Sequence, residues 1–158
     1  MTPFGYLGID PGKSGGVAWV SSDGKGLYVY PTTDDEYALS SFFSGYKKGE
    51  AKAVLEKVHA FPGQGVSSMF TFGRGYGFLR GCLVSQEIPF EDVTPQAWQK
   101  ALGIPKKGKD EKKTDFKKRL RAKAQQLFPS FSSEISLAVG DAVLIAEYAR
   151  RRGEGLIH

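Results

Sequence analysis

The run Phe4-Gly5-Tyr6-Leu7-Gly8-Ile9-Asp10-Pro11-Gly12 carries an apolar segment into an acid and then a turn. A short apolar run closed by turn residues reads as a buried central strand. Asp10 therefore stands at the rigid end of that strand. Two further acids repeat the pattern. Glu56 ends the apolar run Ala53-Val54-Leu55. Asp141 falls in a predicted C-terminal helix over residues 135–151, on the face shared by Leu137, Ala138, Leu144, Ile145 and Tyr148. Ionised carboxylates turned inward from two strands and a helix are costly unless a cation holds them. A divalent metal is the simplest such cation.

The rest of the chain sets these acids in an α/β pattern. Strands are predicted over 4–10, 15–20, 27–30, 53–58 and 89–94. Asp23-Gly24 marks a hairpin between the second and third. Helices are predicted from Asp34, with Asp34 or Thr33 as cap, to about Tyr46, then over 66–84, 113–127 and 135–151. Residues 1–158 read as one domain. Gly73, Gly77 and Gly81 recur every fourth residue in the second helix. Because glycine weakens a helix by about 1 kcal/mol per site, that stripe implies close packing against a neighbour, with a dimer interface as one candidate.

No apolar run approaches the roughly 18 residues of a membrane span. No basic segment followed by a long apolar core opens the chain, so no secretory signal is expected. The lone Cys82 makes neither an internal disulfide nor a zinc site. The expectation is a cytoplasmic protein. The net charge of +5 is unevenly placed. Ten Lys/Arg lie between Lys106 and Lys123 against Asp110, Glu111 and Asp115, so this stretch is +7 and the remainder −2. Concentrated basicity of this kind is an electrostatic footprint for phosphates, although a charge run can also be a solvated helix face.

Carboxylate oxygens are hard ligands suited to Mg²⁺ or Mn²⁺. Two such ions activate a water and stabilise the leaving oxygen in phosphodiester hydrolysis. Asp10 is the choice for a bridging ligand, since a central strand supports it most rigidly. Plainer roles exist for each acid: Asp10 in turn chemistry, Glu56 at a surface strand end, Asp141 paired with a buried arginine or capping a turn. Aromatic and basic residues after Glu56 (His59, Phe61, Phe70, Phe72, Arg74, Tyr76, Arg80) suit stacking on unpaired bases and contact with phosphates. Phe70, Phe72 and Phe78 also fit core or dimer packing, and Trp98 reads as core.

Gly8-Ile9-Asp10-Pro11-Gly12, Glu56-Lys57-Val58 and Gly140-Asp141-Ala142-Val143-Leu144-Ile145-Ala146, in that order, resemble the RuvC-type Holliday junction resolvases. The run from Glu56 to Gly65, followed by Phe72-Gly73, resembles the bacteriophage and prophage branch. The resemblance implies an RNase H-like fold with a mixed five-stranded sheet flanked by helices. It also implies a homodimer and Mg²⁺- or Mn²⁺-dependent nicking of four-way or other branched DNA, with two ions per site and 5′-phosphate products, in DNA recombination and repair. Asp10, Glu56 and Asp141 match the family's metal-binding, catalytic acids. The family's fourth ligand, three residues before the last acid, is Ala138 here; Glu134, two helical turns from Asp141, and water are the candidate substitutes. An aromatic wedge of the family aligns with His59, with Phe61 beside it. Lys113-Thr114 resembles a basic element that binds DNA near the scissile phosphate, a role Lys112 also fits. The DNA contacts expected are His59, Phe61, Arg74, Lys106, Lys107, Lys109, Lys112, Lys113 and Lys117.

The leading function is a junction-resolving endonuclease. The alternatives are a broader nuclease for flaps, forks and junctions, and a junction-binding protein with reduced catalysis. A sugar-kinase or actin-type ATPase piece also opens with an aspartate-glycine turn, but the chain is too short for two lobes and lacks a second phosphate loop.

Overall fold

The computed structural model describes residues 4–59 and 62–158. Its centre is a five-stranded sheet of β1 (Gly5–Asp10), β2 (Gly16–Ser21), β3 (Leu27–Pro31), β4 (Ala51–Glu56) and β5 (Phe90–Val93), in the order β3-β2-β1-β4-β5. β1, β2 and β3 pair antiparallel, whereas β4 joins β1 and β5 joins β4 in parallel. The sheet is therefore mixed, with β1 at its middle, as expected for a strand buried along its whole length.

Side chains alternate across the sheet. Leu7, Ile9, Ala53 and Leu55 enter one core with Phe43 of α1 (Glu36–Ser44) and with Leu79 and Leu83 of α2 (Val66–Ser85). Tyr6 and Val54 enter the other. That second core holds Trp98 of α3 (Pro95–Ala101), Leu120 and Ala124 of α4 (Lys113–Leu127), and Val143 to Ala146 of α5 (Gly140–Gly153). The alternation matters for chemistry: Asp10 and Glu56 belong to the Tyr6/Val54 set and face α3, α4 and α5.

Gly8 sets how closely α5 approaches β1. A Cβ there would stand 2.2 Å from the Ala146 nitrogen and 2.3 Å from the Ala142 oxygen. Only glycine lets the helix backbone rest on the strand.

Several boundaries correct the sequence reading. The cap of α1 is Asp35, whose side chain accepts from the Ala38 N–H, rather than Asp34 or Thr33. α3 has no counterpart among the helices predicted from the sequence, although Thr94 before Pro95 is a cap-and-first-turn signal; the Thr94 hydroxyl accepts from Ala97 N–H. The final helix begins at Gly140, not at 135. Residues 129–134 form a separate 3-10 turn opened by Pro129. Leu137, Ala138 and Glu134 therefore do not lie on the helix that carries Asp141. Among the described residues no helix is long and apolar enough to cross a membrane.

Candidate active site

Asp10 ends β1 and Glu56 ends β4. Because Ile9 pairs with Leu55 in parallel register, the two acids close neighbouring strands side by side. Asp141 is the second residue of α5, placed over the same sheet end by the Gly8 contact. Strand, strand and helix thus bring the three predicted acids together.

Lys117, in the second turn of α4, is their common cation. Its Nζ lies 3.0 Å from Asp141 Oδ2 and 3.6 Å from Asp10 Oδ2. Lys117, one of the expected DNA contacts, is turned toward the acid cluster. Burial disfavours its ammonium, but Asp141 and Asp10 outweigh burial and hold its pKa above the ordinary lysine value.

One ammonium does not neutralise three carboxylates. Burial, then Asp141 and Glu56, push the pKa of Asp10 well above the usual carboxylate range. Burial also raises Asp141, with Lys117 opposing it. Glu56 is pushed up to about 7 by burial, against a hydrogen bond from Trp98 that favours the charged form. That bond, Trp98 Nε1–H to Glu56 Oε2 at 2.8 Å, fixes the orientation of the carboxylate. Trp98 is itself wholly buried. The sequence reading placed Trp98 in the core, correctly, but nothing local signalled its bond to an acid forty-two residues away.

Asp141 Oδ1 is buried and accepts no hydrogen bond. An orphaned carboxylate oxygen beside two under-compensated acids fits a hard divalent cation. Among the described residues no three His, Cys, Asp or Glu side chains stand as a ready-made metal cage; the Lys117 ammonium contacts two of the acids instead.

The remaining predicted residues spread outward. Glu134 is exposed at the end of the 3-10 turn, six residues before α5, so the shared helix face expected for it and Asp141 does not exist. His59 is exposed in the loop after β4, three residues from Glu56. Phe61 lies outside the described residues. Arg74 is exposed and pairs with Glu36 at 3.2 Å. Lys106, Lys107 and Lys109 occupy the loop after α3, Lys112 caps α4 and Lys113 opens it, all exposed. Core packing holds for Phe78, which is half-buried against the α1/α2 core, but not for Phe70, which is 74% exposed. Phe72 leans on the turn after Asp10, 3.4 Å from where a Gly12 Cβ would be. A groove of about 700 Å³ runs from this turn between α1 and α2, past Thr32, Ser67, Thr71 and Arg74.

With that geometry in view, the solved structures decide the architecture. Thermus thermophilus RuvC in complex with Holliday junction substrate superposes with a TM-score of 0.66, covering 98% of each chain at 13% identity. A second Thermus thermophilus RuvC structure gives 0.61 and 15%, with the same coverage. The chain has the RNase H-like fold of RuvC. No family model and no curated protein matches it by sequence, as expected where fold similarity outlasts sequence similarity.

Proposed function

We propose that this chain is a metal-dependent, structure-selective DNA endonuclease that resolves four-way junctions, of the bacteriophage-like RuvC branch. The observation that supports this most is the meeting of Asp10, Glu56 and Asp141 at one end of a sheet built as in RuvC. Asp10, Glu56 and Asp141 are the residues that would hold Mg²⁺ or Mn²⁺. When bound, such ions supply an activated water and stabilise the leaving oxygen.

The chain's own residues do the positioning. β1, paired on both sides, holds Asp10 rigidly. Trp98 aims Glu56. Lys117 keeps a positive charge at the acids, where an approaching phosphate needs it. Lys106, Lys107, Lys109, Lys112 and Lys113 neutralise flanking phosphates, each adding about 0.9 to the slope of log affinity against log salt. His59, Phe61 and Phe72 suit stacking on bases unpaired at a junction.

A homodimer is part of the reading. Val66, Phe70 and Val84 of α2 are 87%, 74% and 65% exposed, and a Cβ at Gly73, Gly77 or Gly81 would meet nothing within 4 Å. Among the described residues nothing packs closely on the glycine stripe, and the reading assigns that packing to a second copy. The cytoplasm of a bacterial or phage-infected cell is the proposed location.

A second reading, a junction-binding protein with reduced catalysis, draws on Ala138 at the family's fourth ligand position. The deciding experiment incubates labelled four-way junction, flap and linear duplex with Mg²⁺, Mn²⁺ or EDTA. Paired nicks in the junction, lost in EDTA, are expected. Equal cutting of flaps points to a broader debranching nuclease. Tight binding without cleavage in either metal favours the second reading.

A further inference from the structure

The lysine-rich loop is held in shape by one arginine. Residues 102–112, between α3 and α4, form no helix or strand. Lys106, Lys107, Lys109 and Lys112 repel one another along this loop, and Lys113 follows directly. None of the five enters a salt bridge among the described residues. A segment of this composition, left alone, samples many conformations.

Arg119 of α4 prevents that. Its Nε and Nη2 donate to both oxygens of Glu111, at 3.1 and 3.0 Å. Nη1 donates to the Pro105 carbonyl at 2.9 Å, and Nη2 to the Lys106 carbonyl at 3.2 Å. Glu111 in turn accepts from Gly108 N–H at 3.0 Å, and its own N–H donates to Gly108 O. Both ends of the lysine loop are thereby tied to one guanidinium. That guanidinium lies 4.8 Å over the Phe116 ring, and Phe116 packs on the core. The planar fork of arginine is what allows a bidentate carboxylate and two carbonyls to be held at once; lysine has no such geometry.

We propose that the Arg119–Glu111 clasp is a positioning device that pre-forms the lysine loop as a phosphate-binding surface for DNA. Arg119 and Glu111 act through the loop. Lys106, Lys109 and Lys112 meet the backbone, and the clasp spares them the ordering loss on binding. Lys113 and Lys117 are four residues apart on α4 and share a face, so the surface set by the clasp runs directly to the acid cluster. The proposal rests on the nucleic-acid reading above.

The test measures affinity of the full chain for a fluorescent four-way junction across salt concentrations in EDTA. The variants are Arg119→Lys, Glu111→Gln and the triple change of Lys106, Lys109 and Lys112 to Gln. Arg119→Lys keeps the charge and loses the fork. It should weaken binding about tenfold with the salt slope unchanged, because the phosphates neutralised are the same. Trypsin should then cut faster at the loop lysines, while the melting temperature stays close to that of the parent. The lysine triple should instead flatten the slope by about 0.9 per lysine lost from the contact. Glu111→Gln should follow Arg119→Lys more weakly, and it keeps the test open if Arg119→Lys does not fold. A triple variant that loses affinity while Arg119→Lys and Glu111→Gln bind normally overturns the clasp and leaves the DNA reading standing. A triple variant that binds like the parent removes the loop as a phosphate surface and the clasp with it, while the DNA reading stands; a parent protein that does not bind DNA overturns both.

Discussion

Lys117 places a single ammonium 3.0 Å from Asp141 and 3.6 Å from Asp10, bridging a helix-borne acid and a strand-borne acid. This arrangement makes the lysine and a divalent cation rivals for the same oxygens. Lys117→Met should destabilise the metal-free protein by about 2 kcal/mol at pH 8, less than the ~3–5 of a fully buried pair, since 32% of the side chain faces solvent. Mg²⁺ or Mn²⁺ should raise the melting temperature of the variant more than that of the parent. An equal rise in both proteins would mean that the ammonium does not compete.

Asp10→Asn should abolish cleavage and preserve junction binding, because it removes a ligand but no basic surface. It should also stabilise the metal-free protein, by relieving a buried charge set against Asp141 and Glu56. A variant cutting at the parent rate would remove Asp10 from the site.

Glu56 gives the fold a pH dependence of definite sign. Its ordinary value is 4.5, and burial lifts it to about 7 in the folded, metal-free protein. The folded state therefore binds the extra proton between these values. Stability falls as pH rises from about 4.5 to about 7, then levels off, by about 3 kcal/mol from this group. Urea midpoints in EDTA at pH 5 and pH 8 read this directly. Glu56→Gln should remove its share of the drop and leave the part that Asp10 and Asp141, also raised by burial, contribute; a parent equally stable at both pH values would contradict the burial argument.

Trp98→Phe keeps a ring in the core but deletes the donor to Glu56 Oε2. Losing an outer-shell orienting bond should raise the Mg²⁺ concentration needed for half-maximal cleavage by about tenfold. The packing loss should be about 1–3 kcal/mol. A stability loss with no shift in Mg²⁺ requirement would reduce Trp98 to a packing residue.

Two glycines should respond in opposite ways. Gly8→Ala forces α5 off β1 and should cost about 3 kcal/mol or more, the upper end of overpacking. Gly77→Ala meets nothing within 4 Å among the described residues, so it should stabilise an isolated monomer by about 1 kcal/mol. If a second copy packs there, the added methyl should instead weaken the dimer in sedimentation equilibrium.

Much of this site was legible in the chain. Asp10, Glu56 and Asp141 could be picked out because each interrupts an apolar run, and hydrophobic periodicity is a local property. The five strands and the spans of α2 and α4 followed from the same periodicity, with errors confined to a few residues at most ends. The predicted final helix is too long because Ile135, Leu137 and Val139 continue an apolar pattern, while residues 129–134 form a 3-10 turn and 137–139 a further turn before α5 begins. That error moved Glu134 onto a helix it does not share.

The sequence by itself determined the acids, the sheet that carries two of them and the concentration of positive charge. Only the tertiary structure decided which cation meets the acids, which indole holds Glu56 and which arginine shapes the lysine loop. Lys117, Trp98 and Arg119 are distinguished from their neighbours by long-range packing alone. A lysine in a run of lysines carries no local mark of the one that faces inward, because that choice is made by how α4 docks on α5 and on the end of β1.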